Sequence, residues 1–159
     1  MRIRQAEISD APAIAGIVNP MIRNTAITFT TTEKTVETMA EEIGTRGPAF
    51  QVAEVDGEVV GFATYFPFRS GPGYARTKEH SVVLADHAHG KGIGRALMAR
   101  LVDVARQEGV HSLFAGVSAE NPDGLKFHAT IGFREVATLP EVGFKFGRWM
   151  DLVLMQKIL

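Results

Sequence analysis

The sequence contains no cysteine. That absence removes disulfides, thiolate-bound metals and a cysteine nucleophile together. It also has no apolar run approaching the roughly 18 residues of a membrane span, and the opening Met1–Asp10 lacks the apolar stretch of a signal peptide. No membrane partner is expected, and the cytoplasm is the expected location. Charge of one sign is scarce too: 17 basic against 18 acidic residues leave a net charge of −1, which argues against nucleic acid as a partner. No internal repeat, linker or low-complexity tract is visible. What remains is a chain of 159 residues, 45% hydrophobic, long enough to bury a core as one domain over residues 1–159 and suited to a small-molecule ligand.

The stretch from Glu79 to Glu108 organises the rest. Ser81–Ala85 is an aliphatic run that reads as a buried strand. Ile93, Leu97, Leu101, Val104 and Ala105 then recur at helical spacing, with Lys91, Arg95, Asp103 and Arg106 elsewhere on the wheel. Between strand and helix lies His89-Gly90-Lys91-Gly92-Ile93-Gly94, whose glycines permit a tight turn and whose helix start presents unpaired N–H groups. Lys91 and Arg95 add positive charge, so the turn reads as an anion site, with a pyrophosphate its natural occupant. A dinucleotide fingerprint fails, because the glycines run G-x-G-x-G and the position about 20 residues on falls in the apolar Leu113-Phe114 region. The phosphate loop of nucleoside triphosphatases is absent, since Lys91 precedes the second glycine.

Elsewhere, Ser9-Asp10 with Pro12 signals a helix running to Asn24. Thr25–Thr35 is too β-branched and polar for a helix and reads as a loop, and a second helix from Val36 to Ile43 is expected to stop at Gly44 and Gly47-Pro48. Phe50–Val55 and Glu58–Phe66 are strands joined by the hairpin dipeptide Asp56-Gly57. Pro67–Tyr74 is a loop. Ser112–Ser118 is a strand, Asn121-Pro122-Asp123 opens a helix ending near Gly132, and Arg134–Pro140 and Arg148–Gln156 are two last strands linked by a loop, Glu141–Gly147. The order β-α-α-β-β-β-α-β-α-β-β points to an α/β fold with a mixed central sheet of about six to seven strands and helices on both faces.

His89-x-x-Gly92-x-Gly94 after a strand resembles the Gln/Arg-x-x-Gly-x-Gly/Ala motif of the GNAT superfamily of acyl-CoA-dependent N-acetyltransferases, with histidine in the first position. Asn121, Gly124, His128 and Gly132-Phe133 resemble a second family segment, in which a tyrosine more commonly stands where this chain has His128. That histidine, Thr77-x-Glu79, and Val142-Gly-Phe-Lys145-Phe-Gly147-Arg-Trp149-x-Asp151 are similar to the phosphinothricin and methionine sulfoximine N-acetyltransferase branch, from which Lys78 departs where valine is usual. The element order agrees with the GNAT fold over essentially the whole chain.

The resemblance implies acetyl-CoA as acyl donor, with the main chain of Val82, Val83 and Leu84 and the turn His89, Gly90, Lys91, Gly92, Ile93, Gly94 and Arg95 holding it beside Asn121. It implies Glu79 as the base that takes the amine's proton, against the plain alternative of a solvated strand-end carboxylate. His128 is either the acid for the departing thiolate or a helix-face histidine that only hydrogen-bonds the pantetheine or a neighbour. Arg69, whose planar fork suits a carboxylate, is implied for the acceptor, with Phe29 and Tyr74 as pocket walls and His80 and Ser81 beside Glu79. His80, His87 and His89 make a poor metal set, and no metal is expected. The acceptor implied is a small L-amino acid or analogue; a polyamine, a protein N-terminus, or a non-catalytic acyl-CoA-binding role are the alternatives. Branch members are commonly dimers, so a homodimer is expected.

Overall fold

The computed structural model describes all residues, Met1 to Leu159. Seven strands form one sheet: β1 (Arg2–Gln5), β2 (Phe50–Val55), β3 (Glu58–Pro67), β4 (Thr77–Leu84), β5 (Ser112–Ser118), β6 (Arg134–Lys145) and β7 (Arg148–Ile158). They lie in the order β1-β2-β3-β4-β5-β7-β6, and only β4 and β5 run parallel. Four helices complete the chain: α1 (Ala11–Asn24), α2 (Val36–Arg46), α3 (Ile93–Gln107) and α4 (Pro122–Thr130).

Alternation along the strands sends side chains to two cores. On one face α1 and α2 bury Ile14, Ile22, Met39 and Ile43 against Phe50, Val52, Phe62 and Val83. On the other, α3 buries Leu97, Met98, Leu101 and Ala105 against Ala53, Ala63, Leu113 and Ala115. Leu97 and Leu101 are fully buried, so truncating either to alanine costs about 2–5 kcal/mol.

Three segments depart from expectation. α2 runs through Gly44 to Arg46, because an isolated glycine costs a helix only about 1 kcal/mol and the effective stop is Gly47 at φ 51° followed by Pro48. β4 begins at Thr77, because its polar first residues pair with the end of β3 in the register Pro67↔Lys78 and Phe66↔Glu79. The expected loop Glu141–Gly147 is mostly strand. β6 continues through an irregularity around Glu141 (φ 52°), and only Phe146-Gly147, both left-handed, make the turn. Asp56-Gly57 turns the β2–β3 hairpin as expected.

Candidate active site

β4 and β5 are in register over four pairs, from Thr77↔Ser112 to His80↔Ala115. Beyond His80, β4 continues to Leu84 and β5 to Ser118 with no further pairing between them, so the parallel strands part. Thr77 O accepts from Phe68 N of the β3 side and Ala85 N donates to Val60 O, so odd-numbered residues of β4 turn their main chain toward β3. Even-numbered residues turn theirs toward β5, as Arg76 O does in accepting from His111 and Ser112. Val82 and Leu84 thus present free N–H and C=O groups to the gap. Val83, expected to do the same, spends its main chain on β3 and buries its side chain under α1.

The turn after β4 leads to the same gap. Gly90 and Gly92 have φ of 74° and 79°, with open space where a Cβ would stand. Gly92 is the cap of α3, and the first helical bond is Ala96 N to Gly92 O, which leaves the N–H groups of Ile93, Gly94 and Arg95 without helical partners. No acidic side chain lies in that first turn, while His89, Lys91 and Arg95 are exposed around it. Gly94 is buried against α4, where a Cβ would lie 3.4 Å from the Phe127 ring. Free strand edge, anion-binding turn and clustered cations fit an acyl donor with a pantetheine arm and a pyrophosphate.

On the α1 and α2 face, a cavity of about 230 Å³ is lined by Ser81 of β4, Thr64 and Phe66 of β3, and Thr28 and Thr30 of the loop after α1. Glu79 shares the strand face of Ser81 but lies outside that lining, next to Phe66 in register. Glu79 is half-buried, and burial raises its pKa above the ordinary 4.5. Its carboxylate reaches over Gly116 of β5, where a Cβ would lie 3.4 Å from Oε2. Gly116 was not singled out by sequence, although a glycine inside a strand is a signal of close approach. A larger cavity, about 560 Å³ beside Lys78 and Glu108, includes none of Glu79, Ser81, Val82 or Leu84.

The loop carrying Arg69 and Tyr74 is anchored near Glu79, because Phe68 stacks on Phe114, the β5 residue in register with Glu79 (ring centroids 4.6 Å). Arg69 lies over the Tyr74 ring at 5.5 Å, and both are exposed. Neither Phe29 nor Tyr74, both expected as walls, lines the smaller cavity. Phe29 is turned elsewhere. Its ring packs on Gly143 of β6, filling the place of a Cβ there, while its neighbours Thr28 and Thr30 line the cavity. The loop between α1 and α2 is fastened at its base by Asn19, which exchanges two hydrogen bonds with the Lys34 main chain (2.8 and 2.9 Å), and by Arg23–Glu33. Its tip is held by Lys145, only 3% exposed, whose Nζ donates to Thr28 O at 2.9 Å. Lys145 lies 117 residues from Thr28, and no local sequence signal announces the contact.

Asn121 closes its own helix, its Oδ1 accepting from Gly124 N at 3.0 Å, so its oxygen acts as an α4 cap rather than a ligand group. His80, one residue from Glu79, necessarily faces the opposite side of the sheet. It is buried there and not beside the acceptor cavity. His128 Nδ1–H donates to the Gly124 carbonyl at 2.7 Å; a carbonyl only accepts, so neutral His128 has a bare Nε2, which takes the Nε2–H of His80 at 3.1 Å. Burial pushes both imidazoles below their ordinary pKa, His80 to about 3. Neither nitrogen of His128 has an N–H left for a thiolate, which removes the geometric basis for the expected acid role.

The sequence profile described as "Acetyltransferase (GNAT) family" matches residues 19–133. The chain belongs to the GNAT family of acetyltransferases. This GNAT chain is 38% identical to the L-methionine sulfoximine/L-methionine sulfone acetyltransferase of Salmonella typhimurium, over 98% of this chain and 93% of that one. A crystal structure of a ribosomal-protein-alanine N-acetyltransferase from Brucella melitensis superposes with a TM-score of 0.95 at 42% identity, covering 100% of both chains. A GNAT phosphinothricin acetyltransferase from Sinorhizobium meliloti, solved in complex with acetyl-CoA, gives a TM-score of 0.93 at 30% identity over 99% of this chain and 88% of that one. The mixed seven-stranded sheet with helices is the GNAT fold.

Proposed function

We propose that this GNAT acetyltransferase moves the acetyl group of acetyl-CoA directly onto the α-amino group of a small L-amino acid or analogue, with methionine sulfoximine, methionine sulfone and phosphinothricin as acceptors. The observation that carries this reading is the half-buried Glu79 carboxylate, which reaches over Gly116 of β5 one residue before the point where β4 and β5 part. Acetyl-CoA supplies the activated acetyl thioester. Val82 and Leu84 hold its pantetheine through their free main-chain groups, and the Gly90–Arg95 turn holds its pyrophosphate. Glu79 binds the acceptor's ammonium group and takes its proton, a task suited to a carboxylate lifted above its ordinary pKa. Arg69 receives the acceptor's carboxylate. His128 supports α4.

A second reading, transfer to a protein N-terminus, is favoured by the name of the Brucella relative. The small cavity of about 230 Å³ supports a free amino acid over a polypeptide end, and Arg69, proposed for the acceptor's carboxylate, disfavours a polyamine. We also propose that the chain works as a homodimer in the cytoplasm, its one domain supplying the whole site. Phe144, Phe146 and Trp149 on the β6–β7 hairpin are each more than half exposed, and β6 is an edge strand of the sheet, a surface suited to a second copy.

A thiol-release assay with acetyl-CoA decides among acceptors. The expected result is fast turnover with methionine sulfoximine, methionine sulfone or phosphinothricin, and little with spermidine or a peptide beginning in alanine. Turnover confined to the peptide or to spermidine would overturn the acceptor assignment.

A further inference from the structure

His80 and His128 join two elements that the ordinary ladder does not. His80 is the last β4 residue in register with β5, and His128 lies on α4. Both side chains are buried against Phe133, and His128 also meets Phe127, with ring centroids 5.1 to 5.4 Å apart. The proton order along the pair is fixed from one end. Gly124 O accepts from His128 Nδ1, so His128 Nε2 must accept, and His80 must donate from Nε2. His80 Nδ1 is then an unprotonated, buried nitrogen without a well-formed hydrogen bond.

We propose that His80 is a positioning residue for the acyl-donor slot: its donation to His128 fixes the tautomer of His128 and ties α4 to β4 at the point where β4 parts from β5. The slot therefore keeps a set width, with α4 unable to drift from the strand that presents Val82 and Leu84. This rests on the proposed use of the gap by acetyl-CoA. It assigns both histidines to holding the slot and leaves neither to donate a proton to the thiolate.

The test combines imidazole nitrogen NMR on the ¹⁵N-labelled full chain with steady-state kinetics and direct CoA binding. The expected wild-type spectrum has His128 protonated at Nδ1 and bare at Nε2. His80→Phe keeps a ring but loses the donor, so the His128 signals move and KM for acetyl-CoA rises about tenfold, while KM for the acceptor changes less than about twofold. His80→Gln carries an N–H toward His128 and restores both spectrum and KM. Protonation of His128 at Nε2 in the wild type overturns the proposal. So does an unchanged His128 spectrum in His80→Phe, an equal rise in both KM values, or a His80→Gln variant as impaired as His80→Phe. The spectra and CoA binding need no turnover. A chain that binds CoA with the expected spectra yet acetylates nothing would count against the proposed reaction alone, and if His80→Phe does not fold, the wild-type spectrum and His80→Gln still decide.

Discussion

On the α3 and α4 face, 20 buried residues form one cluster that closes on the parted strands, whereas the α1 and α2 face has a cluster of 12 and leaves a cavity of about 230 Å³ beneath an irregular loop. The first face holds its elements by dense apolar packing and by the buried His80–His128 bond. The second holds its loop by a few polar fastenings, Asn19 to Lys34, Arg23 to Glu33 and Lys145 to Thr28. On the proposed function, the donor takes the firmly packed side and the acceptor the side closed by the loop. Donor affinity and acceptor choice are then expected to respond to different substitutions.

The sharpest test lies where the two faces meet. Glu79→Gln is expected to lower kcat by about 10² to 10⁴ with CoA affinity nearly unchanged, as stopped assays and calorimetry would show. The same variant should melt higher at pH 8. Burial raises the folded-state pKa of Glu79, so its contribution to stability is greatest at low pH and is lost as pH rises through that raised value; glutamine removes the loss. A lower melting temperature would break this account of Glu79.

Arg69→Ala should raise acceptor KM by roughly tenfold to a hundredfold, the worth of a charge-assisted hydrogen bond, and leave KM for acetyl-CoA alone. Lys145→Met should raise acceptor KM only about threefold to tenfold, because it loosens the roof without touching the acceptor. An equal effect of either variant on acetyl-CoA would erase the distinction between the faces. The smallest effect belongs to pH. Both buried imidazoles have folded pKa values below the ordinary 6.5, so their share of stability is complete above that value and is lost as pH falls toward about 3. The melting temperature should decline below pH about 6.5, and His80→Phe should decline less steeply.

Much of this was legible in the residues. Ser112–Ser118 and the Asp56-Gly57 hairpin stand where periodicity and turn chemistry place them, and the glycine turn before α3 has the left-handed residues its sequence demands. The side of the sheet on which His80 falls was available too, since adjacent strand residues cannot share a face. Other features depend on contacts far apart in the chain. Nothing near Glu141 tells that β7 will draw it into a strand, and nothing near Phe29 tells that Gly143 will receive its ring. Asn121 opens α4 as its sequence position implies, and its oxygen caps that helix.

The single parallel pair in the sheet has one more consequence. Because β4 and β5 run the same way, both finish at the same end, and the helices that follow them, α3 and α4, both begin there. The two helix starts differ: α3 has no acid in its first turn and has Lys91 and Arg95 close by, whereas α4 carries Asp123 in its first turn and gives its Gly124 N–H to Asn121. The attraction for a polyanion is therefore concentrated at the start of α3. Capture of the negatively charged donor should be fast at low ionic strength and slow as salt is added, while capture of a zwitterionic acceptor on the other face should barely respond.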